Sequence, residues 1–176
     1  KPDAVYINVG VWRGFTLFAG MINTDCEVHG VDNFSFDYED GDSTLNNKSE
    51  EIKAREYFFK NFNKIRRKEK HFFYDMGYRN FFKLWEKKNK HIDFYYYDGE
   101  HSYKNQYDNL VIADNFLRKG SVIMVDDYNG IDVERATLDF LSKFKSNYKI
   151  IKEIKTANMD IHPSYANGII LIEKIN

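Results

Sequence analysis

This sequence predicts an α/β fold built on a mostly parallel, doubly wound sheet, and three observations predict it. Short apolar runs rich in β-branched and aromatic residues alternate with longer stretches of helical spacing. The alternation is strict over most of the chain, as a parallel sheet with helices on both faces requires. Glycines and carboxylates fall where the apolar runs end, and open sheets of this kind bind ligands beyond the C-terminal ends of their strands.

Five runs read as buried strands because they are too short for helices: Ala4–Val9, Glu27–Val31, His71–Tyr74, Ile92–Tyr97 and Ser121–Val125. Helical periodicity covers Phe15–Ile22, Ser49–Arg66, Tyr78–Lys88, Tyr103–Leu117 and Val133–Phe144. Near the end, Tyr148–Lys155 and Ile169–Ile175 read as two strands joined by a polar loop, an antiparallel pair closing the sheet. The expected architecture is a seven-stranded, Rossmann-like domain spanning residues 1–176.

With 176 residues, 43% of them hydrophobic, the chain can bury one real core. Lys and Arg number 26 against 27 Asp and Glu, a formal net charge of -1. That balance gives no global pull towards nucleic acid or an anionic membrane, so neither is an expected partner. The basic run Lys64–Lys70 reads as a solvated helix end. Cys26 is the sole cysteine, which excludes an internal disulfide and makes the cytoplasm the default expectation. No stretch approaches the roughly 18 apolar residues of a spanning helix, and no secretory leader opens the chain. The abrupt opening Lys1-Pro2-Asp3 carries the expectation of further residues upstream.

The strand ends collect one glycine turn and a series of carboxylates. After the first strand comes Gly10-Val11-Trp12-Arg13-Gly14, then Asp32, Asp75, Asp98 with His101, and Asp126–Asp127. Glycines let a backbone turn sharply and approach a ligand. The spacing here is G-x-x-x-G and not the dinucleotide pattern G-x-G-x-x-G. Asp32 stands where a carboxylate can accept both hydrogen bonds of a ribose diol. Asp75 could accept from an adenine amino group while Met76 packs on the ring, or it could cap a helix.

Tyr6 to Gly14, Val31-Asp32, Tyr97-Asp98-Gly99-Glu100-His101-Ser102-Tyr103 and Val125-Asp126-Asp127-Tyr128 resemble class I S-adenosylmethionine (SAM)-dependent methyltransferases. More narrowly, they resemble the metal-dependent sugar O-methyltransferases that include the macrocin and mycinamicin enzymes. The resemblance implies SAM held by Asn8, Gly10, Trp12, Gly14, Asp32, Asp75, Met76 and Asp98. Two positions depart from it: Asn8 replaces a usual acidic residue, and Lys119-Gly120-Ser121 lacks one of two usual glycines. Such enzymes also tend to carry helices before the first strand that cover the active site, and none is recognised in this sequence.

Three carboxylates at neighbouring strand ends, Asp98, Asp126 and Asp127, would repel one another and raise each other's pKa. A hard divalent cation, Mg2+ above all, relieves that conflict and suits oxygen ligands better than zinc does. Asp126–Asp127 could instead cap the helix near Ile131. His101 follows Asp98 by three residues, and the resemblance makes it the general base that takes the acceptor proton. Glu100 reads as a surface residue. Trp12 and Tyr128 are expected to line the acceptor pocket. The loops Asn33–Asn47, with Phe34, Phe36 and Tyr38, and Thr156–Asn167, with His162 and Pro163, are expected to shape it.

The expected activity is methyl transfer from SAM to a hydroxyl of a small molecule, a sugar being the expected class. A homo-oligomer is compatible with the chain. The competing readings are a nucleotide-dependent oxidoreductase on a similar sheet and a non-catalytic nucleoside-binding module.

Overall fold

The structure, a computed structural model, describes residues 3–22, 24–35, 48–156 and 167–176. In chain order the elements are β1 (Val5–Val9), α1 (Phe15–Met21), β2 (Glu27–Asp32), α2 (Lys48–Ile65), β3 (His71–Asp75) and α3 (Tyr78–Glu86). They continue with β4 (Ile92–Tyr97), α4 (Tyr103–Asp114), β5 (Leu117–Val125), α5 (Ile131–Lys143), β6 (Tyr148–Ile154) and β7 (Ile169–Lys174). The seven strands form one sheet in the order β3-β2-β1-β4-β5-β7-β6. The first five run parallel, while β7 pairs antiparallel with both β5 and β6. This is the doubly wound sheet with a C-terminal antiparallel pair that the sequence predicts. Among the described residues no helix is long and apolar enough to cross a membrane.

Strand alternation divides the core into two layers. In β4, Tyr95 and Tyr97 pack with Phe81, Trp85, Leu110 and Phe140 of α3, α4 and α5. Tyr96, between them, faces the other layer, where α1 and α2 supply Leu17, Met21, Phe58 and Phe62. Helix α2 contributes Ala54, Phe58 and Phe62, a seam at i, i+4 and i+8 that keeps one face on the sheet. His29 belongs to the core. Its ring stacks on Phe72, meets Trp85 edge-on, and holds Glu27 Oε1 at 2.8 Å from Nε2. With Nε2 protonated, Nδ1 accepts from the Tyr74 hydroxyl at 3.3 Å, so the neutral imidazole is satisfied.

The main boundary difference lies between α4 and β5. The helical pattern ends at Asp114, not Leu117, and the strand begins at Leu117, four residues before Ser121. The strand register runs from the Ile92–Leu117 pair to the Phe94–Val122 pair, so residues 118–121 form a bulge. Gly120 takes φ +85° there, and Ser121 Oγ donates to Ile92 O at 2.6 Å while accepting from Arg118 N at 3.0 Å. The segment that reads as a turn before the strand is a kink inside it.

Candidate active site

Beyond the C-terminal ends of β1 to β4 lies a cleft of about 580 Å3, within the usual range for small-ligand sites. Its walls come from Gly10 and Trp12, from Asp32 to Ser35, from Gly77 to Asn80, and from Tyr97 to His101 with Asn105. The strand ends are tied together: the Gly10 amide donates to Val31 O, Asp98 N to Val9 O and Asp126 N to Tyr97 O. Gly10, at φ +83°, passes so close to β4 that an added Cβ would stand 1.8 Å from the Asp98 carbonyl oxygen. Only glycine allows this approach.

At one end of the cleft, Asp32 organises two loops. Its Oδ2 accepts from Trp12 N at 2.6 Å and its Oδ1 from Phe34 N at 2.6 Å. Trp12 (φ 48°) and Phe34 (φ 54°) both occupy the left-handed region, which side chains other than glycine's disfavour. Burial raises the Asp32 pKa, and the backbone donors oppose that rise. Asn8 is fully buried in β1, donates to Thr16 Oγ1 at 3.2 Å, and leaves Oδ1 without a partner among the described residues. Gly14, at φ +94°, begins α1. Asp75 ends β3 in a bidentate pair with Arg55, and Met76 packs against the core. Asn8, Gly14, Asp75 and Met76 do not line the cleft; Gly77 to Asn80 form its wall beyond β3.

At the other end, Asp98, His101 and Asp127 each bring one ligand atom into a group spanning 4.8 Å. His101 Nε2 lies 3.0 Å from Asp127 Oδ2 and 3.8 Å from Asp98 Oδ1. The imidazole is 43% exposed, yet Nε2 itself is shielded and meets no hydrogen-bond geometry. Burial alone would lower the His101 pKa, but the contacts with Asp127 and Asp98 outweigh it and push the group up to about 10. Burial likewise raises Asp98 to about 6, helped by the charges of Asp126 and Asp127 and opposed by His101, whereas His101 holds Asp127 low. Two carboxylates thus converge on one imidazole.

Asp126, expected as a third carboxylate of this group, is placed differently. Its Oδ2 accepts from the Tyr96 hydroxyl and its Oδ1 from Asp127 N at 2.9 Å. Both oxygens are engaged in these bonds beside the cluster, whose three ligand atoms come from Asp98, His101 and Asp127. Neither Asp126 nor Asp127 caps α5, whose N-cap is Gly130 with no side-chain bond. Asp127 sits at φ 51°. The pattern of Asp32 therefore recurs: a left-handed residue at the rim has its amide held by an aspartate.

Several placements escaped the sequence. Glu100 lines the cleft instead of lying on the outer surface, and it accepts from Asn105, which also takes the Tyr78 hydroxyl at 3.0 Å. A run of short polar residues opening a helix gave no sign of this network. Asn167 reaches Asp127 across forty positions of sequence, Nδ2 to Oδ1 at 2.7 Å. Tyr128 is not in the pocket: it is 1% exposed and packs in the core. Phe36, Tyr38, His162 and Pro163 lie outside the described residues.

A family model described as a methyltransferase domain matches residues 7–128, well over half of the chain. No curated protein matches it. Among solved structures, an O-methyltransferase from Bacillus cereus in complex with SAH superposes with a TM-score of 0.70 at 12% identity, over 98% of this chain and 74% of that one. The O-methyltransferase TomG from Streptomyces achromogenes, involved in tomaymycin synthesis and solved with SAM, gives 0.70 at 9% identity, over 99% and 74%. Fibrillarin from Methanococcus jannaschii, a pre-rRNA processing protein, gives 0.64 at 16%, over 99% and 67%. At such identities the superpositions show a common fold. The family match covers the glycine turn, Asp32, Asp98, His101 and Asp127 alike, and by it the chain belongs to the methyltransferase-domain family.

Proposed function

We propose that this protein transfers the methyl group of SAM to a hydroxyl of a small molecule, with a sugar as the acceptor class and a divalent cation such as Mg2+ as helper. One observation carries the reading: a single cleft runs from Gly10, Trp12 and Asp32 to Asp98 and His101. The first group suits a nucleoside, with glycine-permitted close approach and a carboxylate for the ribose diol. The second suits a reacting hydroxyl and its proton. The family match supports methyl transfer, and the SAH and SAM complexes of two similar folds support the cofactor.

The donor set fits a cation. Asp98 and Asp127 converge on the His101 ring, with Nε2 at 3.8 and 3.0 Å, and this concentration of negative charge supports a cation there. A bound divalent ion supplies charge that lowers the pKa of an acceptor hydroxyl. Asp98 and Asp127 would hold it. Were their charge so engaged, the two carboxylates would no longer hold a proton on His101, whose imidazole could then accept the acceptor's proton. The methyl passes directly from sulfonium sulfur to oxygen, so the remaining work of the chain is alignment and exclusion of water. Asn8 lies behind the cleft wall, and it is given no role in holding SAM.

The test is incubation with SAM and a panel of sugars and other hydroxylated acceptors, with and without Mg2+, followed by mass spectrometry. The expected product is one methyl heavier, with equimolar SAH, and forms only when acceptor and cation are both present. SAM binding without turnover on any acceptor would favour the nucleoside-binding module. Binding of NAD in preference to SAM would return the oxidoreductase.

A further inference from the structure

We propose that Asn167 is a positioning residue for the acceptor end: its side-chain amide sets the plane of the Asp127 carboxylate and so fixes which oxygen faces Asp98 and His101. The inference rests on the reading of that end as a cation and proton-transfer site.

Asp127 has two independent anchors. Its amide donates to Asp126 Oδ1 at 2.9 Å, which holds the left-handed backbone. Its Oδ1 accepts from Asn167 Nδ2 at 2.7 Å, which leaves Oδ2 to face His101 Nε2 at 3.0 Å. A carboxylate with one oxygen pinned has lost its free rotation about the terminal torsion. A neutral amide donor does this without adding a charge that would compete with the cation or the imidazole.

Asn167 is itself fixed by the main chain. Its carbonyl accepts from Asn129 N at 2.8 Å, and the neighbouring Gly168 carbonyl accepts from Tyr128 N at 3.2 Å. Gly168 takes φ +74°, and a Cβ there would meet Asn129 Oδ1 at 2.6 Å and Ile154 O at 2.7 Å. The Asn129 side chain in turn accepts from Thr156 N at 3.0 Å and donates to Thr156 O at 2.6 Å. These ties join the start of β7 to the turn after β5 through backbone groups that any residue at 167 would keep. The hydrogen bond found for the Asn167 amide among the described residues goes to Asp127. Replacing the side chain therefore alters the site while leaving the joint intact.

Asn167→Ala and Asn167→Asp separate this role from a structural one. Mn2+ binding is measured by electron paramagnetic resonance, SAH binding by calorimetry, and the His101 ring signals by NMR in the cation-free protein. The expected result is Mn2+ affinity about 10–100-fold weaker in Asn167→Ala, the usual effect of removing a ligand's supporting partner. Asn167→Asp removes the same donor but adds a negative charge that itself attracts Mn2+, so this variant is read by the His101 signals. SAH affinity and melting temperature should stay near wild type, and the His101 signals should move in both variants. Unchanged Mn2+ affinity and unchanged His101 signals would overturn the inference. If the wild-type protein binds no Mn2+, the cation reading falls, and the His101 signals alone decide whether Asn167 positions Asp127.

Discussion

The two ends of the cleft are built on different principles. At the nucleoside end the strain is geometric and already relieved: Trp12 and Phe34 are left-handed, and Asp32 satisfies both amides. At the acceptor end the strain is electrostatic. Asp98 and Asp127 converge on one imidazole, and their contacts raise its pKa against the burial that lowers it. A preformed end can receive a ligand with little rearrangement. A charge-frustrated end changes its protonation when another cation arrives. The difference assigns pre-organised binding to the first end and chemistry to the second.

The largest effects should come from the acceptor end. Exhaustive chelation is expected to abolish turnover and Mg2+ to restore it, while calorimetry finds SAH binding intact, because Gly10, Trp12 and Asp32 of the nucleoside end are not cluster ligands. Full activity after chelation would remove the cation and leave plain acid–base chemistry. His101→Ala should then lower kcat by about 10²–10⁴-fold, the contribution of a general base. SAM affinity should barely move, since the imidazole belongs to the far end. A variant with wild-type kcat would make His101 structural and merge the two ends into one binding surface.

The strands and their order of use were legible because burial forces apolar runs, and the runs have the length of strands and not of helices. The glycine turn and Asp32 were legible by position, since both stand directly after a strand. The acceptor end was legible only as a set of residue types. Sequence places Asp126 and Asp127 side by side, but the Tyr96 hydroxyl engages Asp126 while Asp127 meets His101. Periodicity does not report a hydroxyl on the next strand. Asn167 was invisible for another reason: forty residues separate it from Asp127, and an asparagine before a glycine reads as a turn. The bulge at Gly120 was hidden because a glycine reads first as a strand boundary.

A pH measurement sharpens the contrast by removing the fold's own titration from that of the site. Burial lowers the His29 pKa to about 4, against the Glu27 contact that raises it. The unfolded chain binds a proton below about 6.5 and the folded one does not, so stability is complete above that pH and falls as the pH drops towards 4. The loss amounts to about 3 kcal/mol by the linkage relation. His29→Phe keeps the stacking with Phe72 and should flatten this limb in urea titrations between pH 4 and 7. An undiminished limb would place the titrating group elsewhere, with His71, whose pKa burial also lowers, as the next candidate.

The smallest effect is expected at Asp32, and it tests whether the nucleoside end is as preformed as its geometry implies. Asp32→Ala should weaken SAH binding by about 1.5–3 kcal/mol, the range for hydrogen bonds to a charged group. That loss alone is ambiguous, because the same carboxylate holds the Trp12 and Phe34 amides and its removal also loosens their loops. A cycle with the 2′-deoxyribose analogue of SAH separates the two contributions. If Asp32 binds the ribose, removing the hydroxyl weakens binding to the wild-type protein but has little further effect on Asp32→Ala. If Asp32 acts only by organising the loops, the hydroxyl matters equally to both proteins and the losses add. Additive losses would leave the glycine turn and the cleft wall to hold the nucleoside, with Asp32 as their brace. The two ends would then share one design, in which an aspartate steadies a left-handed residue and another group meets the ligand.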